Sequence, residues 1–187
     1  AVAPPVITLA STNLSVCEYE NVPVITPTTQ NITELRWYDS NPDGISIPPI
    51  YVGASFDLDP TYPNPYLAAG TYTYYVTGVD LNGQETPSQA ITLTVHSLPD
   101  IYIRRIDPLC PGGSANLIIE SSAPIPGATF QWYKNNVVLP SQTGVILPVT
   151  SEGIYKVKRT LPQGCTIDRE YNVMVYSLPT LTLSYEN

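Results

Sequence analysis

Histidine and cysteine are scarce. The 187-residue chain has one histidine, His96, and three cysteines, Cys17, Cys110 and Cys165. Nucleophilic catalysis needs a base beside the nucleophile, usually histidine. His96 lies in a linker-like stretch, so Ser-His-Asp and Cys-His arrangements are not expected, nor is a histidine-built zinc site. Bases are also few, eight against sixteen acids. Phosphate recognition needs a basic patch, and nucleic acid is therefore not an expected partner. No apolar run approaches the roughly 20 residues of a spanning helix, so membrane insertion is not expected. Long helices lack room as well, because twenty prolines and eleven glycines punctuate the whole chain.

What the chain has is strand material: fourteen tyrosines and many Val, Ile and Thr. The two tryptophans sit in matching surroundings, Thr33-Glu-Leu-Arg-Trp-Tyr-Asp-Ser40 and Gly127-Ala-Thr-Phe-Gln-Trp-Tyr-Lys-Asn-Asn136. Trp37-Tyr38 and Trp132-Tyr133 are thus the centres of two copies of one module. Modules of this size can bury a core unaided. The copies differ in charge. Residues 1–97 hold nine acids and one base, Arg36, whereas residues 98–187 hold seven of each sign, so the first carries the whole net charge of −8. An acidic module can attract calcium or a basic partner, although solubility is the plainer reading.

In chain order, strands are expected at Pro4–Leu9, Asn21–Thr29, Thr33–Asp39, Ile45–Val52, Ser55–Leu58, Gly70–Val76 and Ala90–His96. The second module repeats the plan at Ile101–Ile106, Ala115–Glu120, Thr129–Lys134, Val137–Leu139, Val145–Val149, Gly153–Val157 and Tyr171–Tyr176. Turn signals separate them: Asn41-Pro-Asp-Gly44, Asn82-Gly83, Asn135-Asn136 and Gln163-Gly164. Short strands at this spacing indicate sandwiches. A Gly-x-Tyr element recurs as Gly70-Thr71-Tyr72 and Gly153-Ile154-Tyr155. It resembles the tyrosine corner of immunoglobulin-type sandwiches, where the hydroxyl bonds nearby backbone. His96-Ser-Leu-Pro99 and Tyr176-Ser-Leu-Pro179 close the two copies alike, and Thr180–Tyr185 reads as the first strand of another. The expected fold is all-β, two tandem immunoglobulin-like β-sandwiches over residues 1–97 and 98–178, with 179–187 starting a further module. A Leu-Pro joint is stiffer than a Gly/Ser linker. The opening Ala1-Val-Ala-Pro-Pro5 reads as that of an excised or processed fragment.

Five spaced elements of the second module carry a family resemblance: Ser97-Leu-Pro99, Leu109-Cys-Pro-Gly112, Phe130-Gln-Trp-Tyr133, Thr150-Ser-Glu-Gly-Ile-Tyr155 and Gln163-Gly-Cys165. Over about residues 97–179 the chain resembles the immunoglobulin-like repeats of large secreted and surface proteins of Bacteroidota. Those often travel with the type IX secretion system and include gliding-motility adhesins. Residues 1–96 resemble them less, keeping the Trp-Tyr and Gly-x-Tyr elements without a second cysteine. The resemblance implies an extracellular, non-catalytic spacer or adhesive stalk. Its partners would be neighbouring modules of the same chain, and a surface glycan or protein.

The cysteines fit that setting. Cys110 precedes the second expected strand of its module and Cys165 the last, and strand ends at one pole could be bridged. Two buried thiols are the alternative. Cys17 matches Cys110 in position, but Gln84 stands where Cys165 would, so Cys17 reads as a small buried hydrophobe. The other reading of Cys17 is a bond to another module or molecule.

Three further features could carry chemistry. Asp39-Ser-Asn-Pro-Asp-Gly44 opens like a calcium loop, with Asp39, Asn41 and Asp43 as ligands, but Ile50 stands where a bidentate glutamate is needed. A hairpin turn is the plainer reading, and no other cofactor is implied. Asp57 and Asp59 share a strand face as glycosidase carboxylates could, yet nothing marks a cleft. Tyr62 and Tyr66, among prolines, could offer an aromatic surface to a glycan or peptide, or pack back onto the sandwich. The leading function is a stalk segment; the alternative is a binding module attached to a secreted enzyme.

Overall fold

A computed structural model describes residues 3–58, 67–124 and 126–177. The chain divides into two compact units, Ala1–Ser97 and Leu98–Asn187, and the described residues contain strands and turns without a helix.

The first unit holds β1 (Val6–Thr8), β2 (Asn13–Cys17), β3 (Val24–Ile25), β4 (Thr28–Gln30), β5 (Ile32–Tyr38), β6 (Tyr51–Val52), β7 (Phe56–Asp57), β8 (Gly70–Asp80) and β9 (Gln89–His96). One sheet has the order β2-β9-β8-β5-β6; β1 pairs with β4, and β3 with β7. Alternation along β5 and β9 turns Leu35, Trp37, Ile91, Leu93 and Val95 inward. They meet Ile7, Phe56, Leu58 and Val76 in one core. Trp37 is fully buried, stacks on Phe56 with ring centroids 5.0 Å apart, and donates its indole N–H to the Gly53 carbonyl at 2.9 Å.

The second unit holds β10 (Ile101–Arg105), β11 (Ala115–Ser121), β12 (Thr129–Lys134), β13 (Val137–Val138), β14 (Ile146–Val149), β15 (Gly153–Thr160) and β16 (Thr166–Val173). Its sheets are β10-β11-β14 and β13-β12-β15-β16, enclosing Ile101, Leu117, Trp132, Leu147, Val157 and Val173. Trp132 is again fully buried, and its indole N–H reaches the Gly144 carbonyl at 2.9 Å. Asn135 and Asn136, with φ of 47° and 64°, make the two-residue turn between β12 and β13. Both tyrosine corners form: Tyr72 donates to the Ala68 carbonyl at 2.9 Å and Tyr155 to that of Ser151 at 3.0 Å.

Several expected strands shift. Asn21–Thr29 splits into β3 and β4, which pair with different partners, and Pro27 lies at the break. Of Ile45–Val52, expected as a short strand broken at Pro48-Pro49, only β6 after the break forms, since those prolines lack ladder donors. The strand β2, unanticipated, pairs in parallel with β9 from Asn13↔Thr92 to Cys17↔His96. The last strand begins at Thr166 rather than Tyr171. Residues 179–187 lie outside the described residues.

The expected Cys110–Cys165 disulfide does not form. Cys110 is a free, half-buried thiol. It follows Leu109, which bridges Val175 in parallel at the C-terminal end of β16, whereas Cys165 precedes Thr166 at the other end. Nine extended residues at ~3.3 Å each put the two on the order of 30 Å apart, far beyond the ~7 Å that a disulfide tolerates between Cα atoms. The strands that the two cysteines precede run in opposite directions, so their starts lie at opposite poles. Cys165 is nevertheless disulfide-bonded, and so is Cys17. The reading of Cys17 as an inert buried thiol is therefore corrected too; it is half-buried.

Candidate functional site

The outer face of the first unit's large sheet carries an unusual set of buried polar groups. Strands β5 and β8 pair with Trp37 opposite Val76 and Arg36 opposite Thr77. Alternation then gives the core Leu35, Trp37 and Val76, and gives the opposite face Arg36, Tyr38 and Thr77. An open sheet face would leave these wet. Yet Tyr38 is 3% exposed and Thr77 1%, because two loops fold over them.

The first cover is the β8–β9 hairpin. The Asp80 carboxylate accepts the backbone N–H groups of Asn82 and Gln84, both at 2.8 Å, and Gly83 takes φ of 79°. Those donors, Gln84 foremost, hold the Asp80 carboxyl below its ordinary range. The returning chain bridges Val79 with Glu85 and brings Glu85 over the face. Its Oε1 accepts the Tyr38 hydroxyl at 2.6 Å and the Thr77 hydroxyl, and its Oε2 lies 3.3 Å from Arg36 Nη1. Arg36 Nε pairs with Glu34 at 2.7 Å. Burial by itself would raise the Glu85 pKa, but the hydroxyls of Thr77 and Tyr38 and the charge of Arg36 together pull it below the usual value. Burial, then the bond to Glu85, pushes the Tyr38 phenol up.

The second cover is the twelve-residue connection from Tyr38 to Tyr51. Asn41 Oδ1 accepts the Asp43 N–H at 2.9 Å, and Gly44 has φ of 77°. The Asp43 carboxylate accepts the Ser88 N–H at 3.0 Å and its hydroxyl at 2.8 Å, tying this loop to the hairpin. A groove of about 740 Å³ remains, floored by Arg36, Tyr38, Thr77 and Glu85 and walled by Pro42, Ile45, Ile47, Pro49 and Pro87.

Asn41 Oδ1 and the Asp43 carboxylate both lie within hydrogen-bond distance of Ser88, and Asp39 Oδ1 accepts the Ser40 hydroxyl at 3.1 Å. Tyr62, Tyr66 and Asp59 lie outside the described residues. Nothing local in the sequence signals the Glu85 cluster. Asn82-Gly83 signalled the turn, but the meeting of Tyr38 with Glu85, 47 positions apart, depends on strand register.

Chemically, the centre is a fixed set of donors and acceptors. An acid held ionised by two hydroxyls and a guanidinium is poorly matched to proton transfer near neutrality, and the phenol stays a donor. The arrangement suits holding loops and recognising a ligand.

Two sandwiches, each with a buried tryptophan and a tyrosine corner, define the class: immunoglobulin-like β-sandwich. Neither protein-family models nor curated proteins give a match to the chain. Among solved structures it is similar to extracellular domains 3–5 of Drosophila OTK, with TM-score 0.50, 14% identity and 94% of this chain covered. It is also similar to the N-terminal eight Ig domains of Down Syndrome Cell Adhesion Molecule, with TM-score 0.57, 14% identity and again 94% of this chain covered. The chain spans 63% of the first and 24% of the second. At these identities the likeness concerns the fold alone.

Proposed function

We propose that the chain is a non-enzymatic, semi-rigid spacer or adhesive segment of a large secreted or cell-surface bacterial protein. Adhesion or gliding motility is its setting, and export by the type IX system its route. The observation that carries this reading is the shortness of the joint. His96 ends the β2–β9 ladder, and its carbonyl accepts the Glu18 N–H at 2.9 Å. The Pro99 carbonyl is already gripped by Arg159 of the second unit. Only Ser97 and Leu98 lie between. Immunoglobulin-like neighbours and disulfide-bonded cysteines support an extracellular location.

Small-angle scattering of the two-unit chain tests the proposal. A narrow distribution of particle dimensions, insensitive to salt, is expected; a broad one, as from freely pivoting units, would sink it. The groove favours a second reading, a module that binds a glycan or peptide. Ile45→Asp and Ile47→Asp should then abolish saturable binding on a ligand array without unfolding the unit.

A further inference from the structure

Arg159 is the only charged side chain buried among the described residues, 1% exposed. It sits on β15 in a row with Tyr155 and Val157, whose side chains build the core. Its Nη1 donates to Ser121 Oγ at 2.9 Å and its Nη2 to the Pro99 carbonyl, while Nε–H has no acceptor. Both acceptors are neutral. The nearby Asp100 carboxylate is bonded to Arg169 and to the Ile101 N–H. A cation buried this way is destabilising by itself, and an apolar residue of similar volume is often the more stable choice. The fold does not require it. By register against the tryptophan strand, Arg159 faces Phe130 as Gly78 faces Leu35 in the first unit.

The same region grips the incoming chain further. The Asp100 carbonyl accepts the Ser122 N–H at 3.0 Å and the Ser122 hydroxyl at 3.2 Å. Ser121 also donates to the Ala123 carbonyl at 2.6 Å. Proline has no N–H to anchor, so its carbonyl is the handle that remains.

We propose that Arg159 is a positioning residue. It fixes the course of the chain where it enters the second sandwich, and it does so while lowering that sandwich's own stability. Its meaning for a stalk rests on the spacer reading above.

The test uses the whole chain with Arg159→Met and Arg159→Lys. Arg159→Met should leave the second unit's thermal midpoint unchanged or raise it. It should also speed hydrogen exchange at the Ile101 and Ser122 amides at least ~10-fold, with the Trp132 strand unaffected. Arg159→Lys keeps a buried charge with fewer bonds, so it should melt below both. The proposal is overturned if Lys melts above Met, if Met melts below the parent or does not fold, or if exchange at the Ile101 and Ser122 amides stays unchanged. Scattering of the parent chain is a separate measurement: flexible units there would remove the spacer reading and leave Arg159's local role standing.

Discussion

The two sandwiches share their fixed points and differ in what surrounds them. Each buries a tryptophan whose indole N–H bonds a glycine carbonyl in the following loop, Gly53 or Gly144. In each, the chain just after the first strand pairs in parallel with the last stretch of the unit. The first unit does this with five residue pairs, the second with the single bridge Leu109↔Val175. After the tryptophan strand, twelve residues wrap the outer sheet face in the first unit, where Asn135-Asn136 suffices in the second. At the inward position facing Leu35 or Phe130, the first unit has Gly78, into whose missing Cβ Ile32 packs; an ideal Cβ there would lie 2.6 Å from Ile32 Cδ1. The second has Arg159. The lesson is that a pair of hydrogen-bonded anchors shared by two copies in one molecule tolerates opposite solutions elsewhere: a loop-covered polar cluster in one copy, a gripped incoming strand in the other.

The strongest way to break the comparison is at its shared pins. Trp37→Ala and Trp132→Ala should each destabilise their own unit by about 3–5 kcal/mol, with the indole-bonded carbonyl left unpaired besides. Calorimetry resolving two transitions should show each substitution moving one of them. A large loss for one tryptophan and a small loss for the other would mean the matching geometry does not reflect matching energetics.

A smaller effect separates the units by pH. Glu85 has a folded pKa depressed below its ordinary glutamate value. Such a group contributes stability above the unfolded pKa, and that contribution is lost as pH falls through the folded one. The first unit should therefore weaken on acidification below about pH 4.5, the ordinary glutamate value. Glu85→Gln should flatten that part of the profile and lower neutral-pH stability by about 1–3 kcal/mol. Urea unfolding followed by the Trp37 signal, in a Trp132→Phe background, reads this directly. A profile as steep in Glu85→Gln as in the parent would assign the acid response to other carboxylates.

The legible part of the molecule was the part written in local pattern. Trp37, Trp132, Gly70-x-Tyr72 and Gly153-x-Tyr155 announce strands and corners through residue type and spacing alone, and the Asn135-Asn136 turn needs only its φ preference. What escaped was set by register over long separations. Strand β2 was hidden because Asn13–Cys17 is half-exposed and short, with its partner almost eighty residues away. The start of β16 is hidden because Thr166–Glu170 holds one apolar residue and three consecutive charges after a glycine turn, and the pole of Cys165 depends on strand direction, which local pattern does not carry. The Glu85 groove failed for the same reason: Tyr38, Thr77 and Glu85 meet only once β5 and β8 are in register and the hairpin has folded back.

The finest comparison is between the tyrosine corners. Both hydroxyls reach the carbonyl four residues upstream, but Tyr155 is 4% exposed whereas Tyr72 is only partly buried. A hydrogen bond contributes about 0.5–1.5 kcal/mol net, and the loss grows when the orphaned carbonyl cannot reach water. Tyr155→Phe should therefore cost about 1–1.5 kcal/mol and Tyr72→Phe about 0.5 kcal/mol, read as shifts of the two separate transitions. Removing the hydroxyl leaves each ring in place, so the difference reports solvent access to Ser151 and Ala68 rather than packing. Lys134 also stands over the Tyr155 ring, 5.5 Å from its centroid, and that contact survives in phenylalanine. Equal losses at both corners would show that water reaches Ser151 as readily as Ala68, and that the second unit's corner is no better sealed than the first's.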